Sequence, residues 1–275
     1  MAHSKSRRRL RIAMLWPSVN LRRRALRVLR RAPGAWRVVI ALSLLVCLWF
    51  AINWIYQVVR KPSELFFPVS GTLNKVPAET WRQYGPLFEK YSTNLISAEL
   101  LAALAQVEGS GNPVAQTYWR WAWRPRAFDI YKPASSAVGM YQITDGTFAE
   151  AKKYCIRHHA VVADGPWNDW HSCWFNGLYL RVLPSHAVEM TAAYLDRGVT
   201  LALKDRRPRD ASTRIPELAA VIHLCGEAAG ESYVQHGMRL TEAQHCGDQE
   251  VRGYLARVDA ARRIFEAMRA ADAHS

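Results

Sequence analysis

The sequence predicts a mostly α-helical exported domain behind a single N-terminal transmembrane helix. Three observations predict it. The 22-residue run from Val38 to Val59 contains no charged residue. Beyond Ala78, apolar residues recur at helical spacing and nowhere sustain the alternation of a strand. Four of the five cysteines, Cys155, Cys173, Cys225 and Cys246, lie after the run, as suits an oxidising compartment. Half of the 275 residues are hydrophobic and 22% are charged, so a sizeable core can form and wholesale disorder is excluded.

The net charge of +14 first suggests nucleic acid or a membrane surface. Its distribution decides. Residues 1–37 hold 12 Lys/Arg and no Asp/Glu, leaving 25 basic against 23 acidic side chains elsewhere. The excess belongs to a tail, and nucleic acid is not an expected partner. As a helix, Val38–Val59 is long enough for the roughly 30 Å hydrocarbon layer. Trp36, Trp54 and Tyr56 suit the interfaces, and Arg37 and Arg60 bracket the run. No A-x-A-like cleavage site follows, which predicts an uncleaved signal anchor. By the positive-inside rule residues 1–37 are cytoplasmic and the remainder lies across the membrane. The arginine clusters Arg7–Arg9, Arg22–Arg24 and Arg30–Arg31 point to anionic lipids of the inner leaflet as partner. Val19–Arg31 can form a basic amphipathic helix with Leu26 and Leu29 on the lipid side.

Residues 60–77, with three prolines, read as a linker, and 78–275 as the exported domain. Ala78–Tyr91 has helical periodicity, with Pro86 predicting a kink or break. Ser97 can cap a helix over Ala98–Glu108. Thr144 or Asp145 opens another, to about Arg157, and Thr147-x-x-Glu150 has capping-box spacing. Further helices are expected at Pro184–Leu195, Ile215–Leu224 and Gln249–Ala270. The connections 109–143 and 158–183 are long enough to be functional. Cys155–Cys173 and Cys225–Cys246 are the expected disulfides, because each pair encloses one short excursion. Zinc is the rival, since Cys155, His158, His159, His171 and Cys173 are ligand types at ligand-like spacings.

Glu108 breaks a local rule. Leu101, Leu104, Ala105 and Glu108 share one helical stripe, so the carboxylate falls on the apolar face. It also sits at the helix C-terminus, where the dipole disfavours negative charge. Burial and the dipole both favour the protonated form that a general acid requires.

Downstream, Ser135–Thr144 reads SSAVGMYQIT. Glu108-Gly109-Ser110-Gly111-Asn112-Pro113 together with Ala137-Val138-Gly139-Met140-Tyr141-Gln142-Ile143 resembles the lysozyme-like domain of bacterial lytic transglycosylases, the soluble-lytic-transglycosylase-like group related to goose-type lysozyme. The resemblance covers roughly residues 78–265. The chain departs from that family in three places. Gly109 stands where a Ser follows the catalytic Glu, and Met140-Tyr141 where Leu-Met is usual. His223-Leu224-Cys225-Gly226 stands where an Ala-Tyr-Asn-x-Gly element is expected.

The resemblance implies a lysozyme-like helical fold and cleavage of the β-1,4 bond between N-acetylmuramic acid and N-acetylglucosamine of peptidoglycan strands. Glu108 would act first as general acid and then as base, giving a 1,6-anhydro product. Ser110, Gly139, Met140, Tyr141 and Gln142 would line the substrate site, and His223 would orient the acid in place of the family's Tyr. No metal or organic cofactor is implied. The implied location is the bacterial inner membrane with the catalytic domain in the periplasm, where proteins of envelope complexes are candidate partners. A hydrolytic muramidase would need a second carboxylate, and Asp129, Asp145, Asp164 and Asp169 are available. A catalytically silent peptidoglycan-binding or scaffold protein is the other alternative.

Two aromatic groups suit a glycan cleft or a core. Tyr118, Trp119, Trp121, Trp123, Phe128 and Tyr131 form the first, with Tyr118, together with Tyr141, the leading expectation for cleft residues. Trp167, Trp170, Trp174, Phe175 and Tyr179 form the second, expected to be a structural excursion at the Cys155–Cys173 pair.

Overall fold

The computed structural model describes residues 33–122, 127–204, 211–241 and 244–273. The expectations for the arginine clusters, the Val19–Arg31 helix and Trp123 fall outside these residues. Two compact units divide the chain, Met1–Ile55 and Tyr56–Ser275.

Helix α1, Gly34–Arg60, contains the uncharged run. Its 27 residues would extend about 40 Å at the usual rise. It is the one described helix long and apolar enough to cross a membrane, with a mean hydropathy of 2.5. Leu42, Leu44, Leu45, Val46 and Leu48 are exposed.

The second unit is mostly helical. After α1 comes a segment expected to be a linker, but it is folded. A 3-10 turn at Pro62–Phe66, a single helical turn α2 (Phe67–Ser70) and a second 3-10 turn at Gly71–Leu73 follow one another. Several of its polar groups are engaged within the domain. Glu64 is fully buried, pairs with Lys61 at 2.8 Å and accepts from Trp119 Nε1 at 3.0 Å. Gln116 donates to the Ser63 carbonyl, and Asn112 to the Ser70 carbonyl and Asn74 Oδ1. Proline content suggested a spacer. The buried carboxylate decided otherwise, because such a group is stable only when its partners are in place.

Helix α3, Pro77–Tyr91, runs unbroken through Pro86. Proline removes one helical hydrogen bond, but Pro86 and Arg82, whose carbonyl loses its partner, are both exposed, so water can bond the freed oxygen. Helix α4, Ala98–Gly109, starts where Ser97 Oγ accepts from the Leu100 N–H. Every side chain from Ala98 to Ala105 is buried, the pattern of a helix inside a core. Glu99 within that run is neutralised by Arg269. Helix α5 is shorter than expected. Thr144 caps Asp145–Ala151, with Thr144 rather than Thr147 in the capping role. The chain then forms a hairpin of β3 (Tyr154–Arg157) with β4 (Ala160–Ala163). His158 and His159 form its two-residue loop, both at positive φ, as primed hairpin turns require. Two other small ribbons pair β1 (Trp119–Trp121) with β2 (Tyr131–Pro133), and β5 (His245–Cys246) with β6 (Gln249–Glu250). These strands span two to four residues, too short to show alternation in the sequence.

Helix α6, Pro184–Leu203, continues beyond its expected end at Leu195. Its buried Glu189 accepts from the Ile156 N–H at 3.0 Å and from Tyr179 Oη at 2.6 Å, fastening the hairpin to the helix. Helices α7 (Ala211–Cys225), α8 (Glu227–Gln235) and α9 (Val251–Asp272) complete the unit. Helix α8 was not expected. Helix α9 buries Val251, Tyr254, Val258, Ala261 and Phe265, a stripe at helical spacing.

Both expected disulfides are present. Cys155 is joined to Cys173 and Cys225 to Cys246, which removes the thiolates of the zinc alternative. Among the described residues, no group of three or more His, Cys, Asp or Glu could hold a metal.

Candidate active site

Helix α4 delivers Glu108 to the edge of the core. The residues before it are packed on all sides, and the helix stops immediately after it. Ser110 and Gly111 are left-handed, and their N–H groups turn back onto the carbonyls of Gln106 and Ala105. This cap satisfies helix-end acceptors and leaves the Glu108 side chain only 11% exposed.

Two glycines bring the sequence motifs together. A Cβ on Gly109 would lie 2.8 Å from Met140 Cα and 2.9 Å from its carbonyl oxygen. Gly139, at φ 81°, lies so close to the Arg181 carbonyl that a Cβ would approach it to 2.6 Å. Only glycine tolerates both the approach and that backbone conformation. The absence of a side chain at Gly109, a departure from the family pattern, is thus what seats the end of α4 on the 139–140 backbone.

The 137–143 loop is a tight turn behind Glu108. Val138 and Ile143 exchange backbone hydrogen bonds at 3.2 and 3.0 Å. Gln142, at φ 46°, donates its side-chain amide to the Gly139 carbonyl at 2.9 Å. Arg181 bonds the Ser136 and Ile143 carbonyls at 2.9 Å each and pairs with Asp145. Met140 and Tyr141 have no exposed surface, so neither side chain is open to a ligand in this conformation. This corrects their expected role as cleft side chains. An apolar Met-Tyr pair beside the end of a buried helix is drawn into the core.

Two groups face the Glu108 carboxylate. Tyr254 on α9 donates its hydroxyl to Oε1 at 2.7 Å. His223 on α7 lies with Nε2 at 3.7 Å from the same oxygen, beyond hydrogen-bond distance. The resemblance expects a hydrogen bond to this carboxyl from His223, and the bond present comes from Tyr254. Burial holds the His223 pKa below its usual value, with the Glu108 charge and a bond to the Tyr141 carbonyl opposing. A neutral imidazole results at neutral pH, so the pair is not an ion pair. Burial first, and the Glu108 charge second, raises the Tyr254 pKa well above the usual value, which keeps the phenol a donor.

Glu108 opens on a cavity of about 220 Å³ lined by Ser70, Gly71, Asn74, Ser110, Asn112 and Gln116, among others. Among the described residues, it is the only carboxylate lining the cavity. Asp129 sits with Arg60 and Lys132, and Asp145 with Arg181. Asp164 and Asp169 bond nearby backbone N–H groups. Ser110 is at the cavity, but Tyr118 is not among the lining residues and is 64% exposed.

The second aromatic group, expected to be a structural excursion, lies largely at the surface. Trp167 and Trp170 are 81% and 80% exposed, and Trp174 is exposed as well. Ser172 Oγ bonds the Pro166 and Asp169 carbonyls, so the loop closes on its own backbone and leaves the indoles outside. Tyr179 is buried against Glu189.

Sequence reasoning missed Tyr254. Its place on the buried stripe of α9 was legible as helical periodicity. Its partner, 146 residues away, was not. No family model, curated protein or solved structure matches the chain.

Proposed function

We propose that this protein is a membrane-anchored peptidoglycan lytic transglycosylase with Glu108 as its acid and base. One observation carries the reading. A nearly buried carboxyl, held by a neutral phenol beside a neutral imidazole, is, among the described residues, the sole acid of a cavity at the junction of the two glycine-containing motifs.

Such a group suits a one-carboxyl reaction. Glu108 protonates the glycosidic oxygen as the bond from C1 breaks. The substrate's N-acetyl group stabilises the developing positive charge. The Glu108 carboxylate then takes the proton of the muramoyl 6-hydroxyl, whose oxygen bonds to C1. The acid is regenerated and a 1,6-anhydro end is formed without net addition of water. Hydrolysis would need a positioned water and usually a second carboxylate. The lysozyme-like fold, the inner-membrane location with cytoplasmic N-terminus, the periplasmic domain and the glycan-strand substrate belong to this proposal. The two disulfides support an oxidising compartment.

The small cavity favours a second reading, a peptidoglycan-binding protein without turnover. About 220 Å³ is below the roughly 300–1,000 Å³ common for ligand sites.

Mass spectrometry of digested peptidoglycan tests the proposal. The parent chain should release anhydromuramoyl ends, and Glu108→Gln none. Reducing ends would indicate a hydrolase. Strand binding without products would leave the silent reading.

A further inference from the structure

A groove of about 630 Å³ lies at the foot of the anchor helix, apart from the Glu108 cavity. One wall begins with Gln57, Arg60 and Lys61, where α1 ends and the folded segment begins. The opposite wall contains Leu180, Arg181 and Val182. Five cations line it, against two carboxylates, Asp129 and Asp145. Lys61 and Arg181 are held in the framework, the first by Glu64 and two carbonyls, the second by Asp145 and two carbonyls. Around the remaining space stand Arg60, Arg120 and Lys132 with only Asp129 among them, at 3.5 Å from Arg60 and 4.0 Å from Lys132. Three cations around one carboxylate in a concave surface leave a focused positive potential.

The segments that supply these walls also carry exposed apolar side chains. Phe66 and Leu180 line the groove itself, and Leu65, Phe67 and Val69 on the first segment and Leu178 and Leu183 on the second are exposed beside them in sequence. Glu64 and the carbonyls of Ser63 and Ser70 on the first segment are bonded inside the domain.

We propose that the groove holds the phosphate of an anionic lipid headgroup from the leaflet in which α1 ends, with the exposed apolar side chains of both segments in the bilayer interface. This rests on the membrane-anchored reading of α1. Chain continuity selects a lipid over a soluble anion. The groove starts at the residue where the apolar helix stops, so its occupant must be present at headgroup depth. Guanidinium groups such as Arg60 and Arg120 match phosphate oxygens in geometry and charge. This site is separate from the basic tail, which faces the other leaflet under the same reading.

The test uses the full chain in proteoliposomes containing a phosphatidylglycerol with a photoactivatable headgroup. Adducts are mapped by peptide mass spectrometry. Adducts are expected on peptides containing Arg60–Phe67 and Leu178–Leu183. In the double variant Arg120→Gln, Lys132→Gln they should fall roughly 10-fold or more, from the usual worth of a basic residue at an anionic surface. Adducts on residues 1–37 should not change. They serve as the internal control, with retained disulfides reporting the fold. Phe66→Ser, which keeps every charge, should reduce the same adducts independently. The proposal is overturned by groove adducts that survive the double variant, or by equal labelling from a phosphatidylcholine probe. It is also overturned if labelling is confined to the tail, or is displaced by inorganic phosphate or soluble muropeptides. Resistance to carbonate extraction is measured on the same samples. Its loss would refute the anchor, whereas an anchored chain without groove adducts would refute the headgroup site alone.

Discussion

Tyr254→Phe isolates the bond that holds Glu108. The substitution removes one hydroxyl and leaves the ring, which has no exposed surface, in its packing. The lost interaction is a 2.7 Å hydrogen bond to the Glu108 carboxyl. Hydrogen bonds to charged groups contribute about 1.5–3 kcal/mol. Glu108 is 11% exposed and opens on a cavity large enough for water, so its oxygen can regain a partner. The expected loss therefore lies in the lower half, about 1.5–2 kcal/mol. For a domain of this size that is roughly 3–8 °C in Tm. The assay is thermal and urea unfolding of the full chain in detergent, repeated for Glu108→Gln and the double variant. The cycle should return a coupling of about 1 kcal/mol or more between the two positions. If Tyr254 positions the acid, kcat should fall while KM holds. A coupling below about 0.3 kcal/mol, with unchanged turnover, would mean that the bond contributes nothing and that the site is organised in another way.

Four further outcomes are expected. Gly109→Ala should cost about 1–3 kcal/mol, because the new methyl meets unyielding Met140 backbone at 2.8 Å; a urea midpoint equal to the parent's would refute that contact. Tyr141→Phe should leave stability unchanged or raise it slightly, since the buried hydroxyl has no hydrogen-bond partner among the described residues; a loss above about 1 kcal/mol would reveal one. Replacing Cys155 and Cys173 by Ser opens a loop of 18 residues and should cost about 3 kcal/mol, read from urea unfolding under non-reducing conditions. Burial lowers the folded-state pKa of His223 from 6.5, so below that pH the unfolded chain takes up a proton that the folded chain refuses. Stability should fall as pH drops through the window beneath 6.5, and His223→Gln should flatten that part of the profile; a parallel slope in the variant would assign the loss to other groups.

Individual elements show what local pattern can carry. Ser97 was legible as a cap because a hydroxyl before an apolar helix bonds its first N–H groups, and it does. The cysteine pairs were legible because short enclosed loops limit their choices, and both formed. Position along a helix also marked Glu108, whose place on the apolar stripe translated directly into near burial. The expected linker failed as a reading because its prolines describe the backbone locally. Its structure depends on Glu64 reaching Lys61 and the distant Trp119 indole. The places of individual aromatic rings were not legible for a related reason. Hydrophobicity gives a ring a preference for burial but not a place in the core. Tyr141 was drawn inside while Trp167 and Trp170 were left at the surface.

The sequence alone determined the apolar helix, the helical class of the second unit, the disulfide pairs and the acid that stands against its helix dipole. Each is encoded within a few turns of chain, where periodicity, charge and spacing act directly. Tertiary structure decided that Tyr254 rather than His223 bonds Glu108, and that Gly109 rests on the Met140 backbone. It also decided that the segment after the apolar helix lines the Glu108 cavity. The Tyr254–Glu108 contact joins residues 146 positions apart. Local preference sets which face of a helix turns inward, and only the packing of whole helices sets which side chain it meets there.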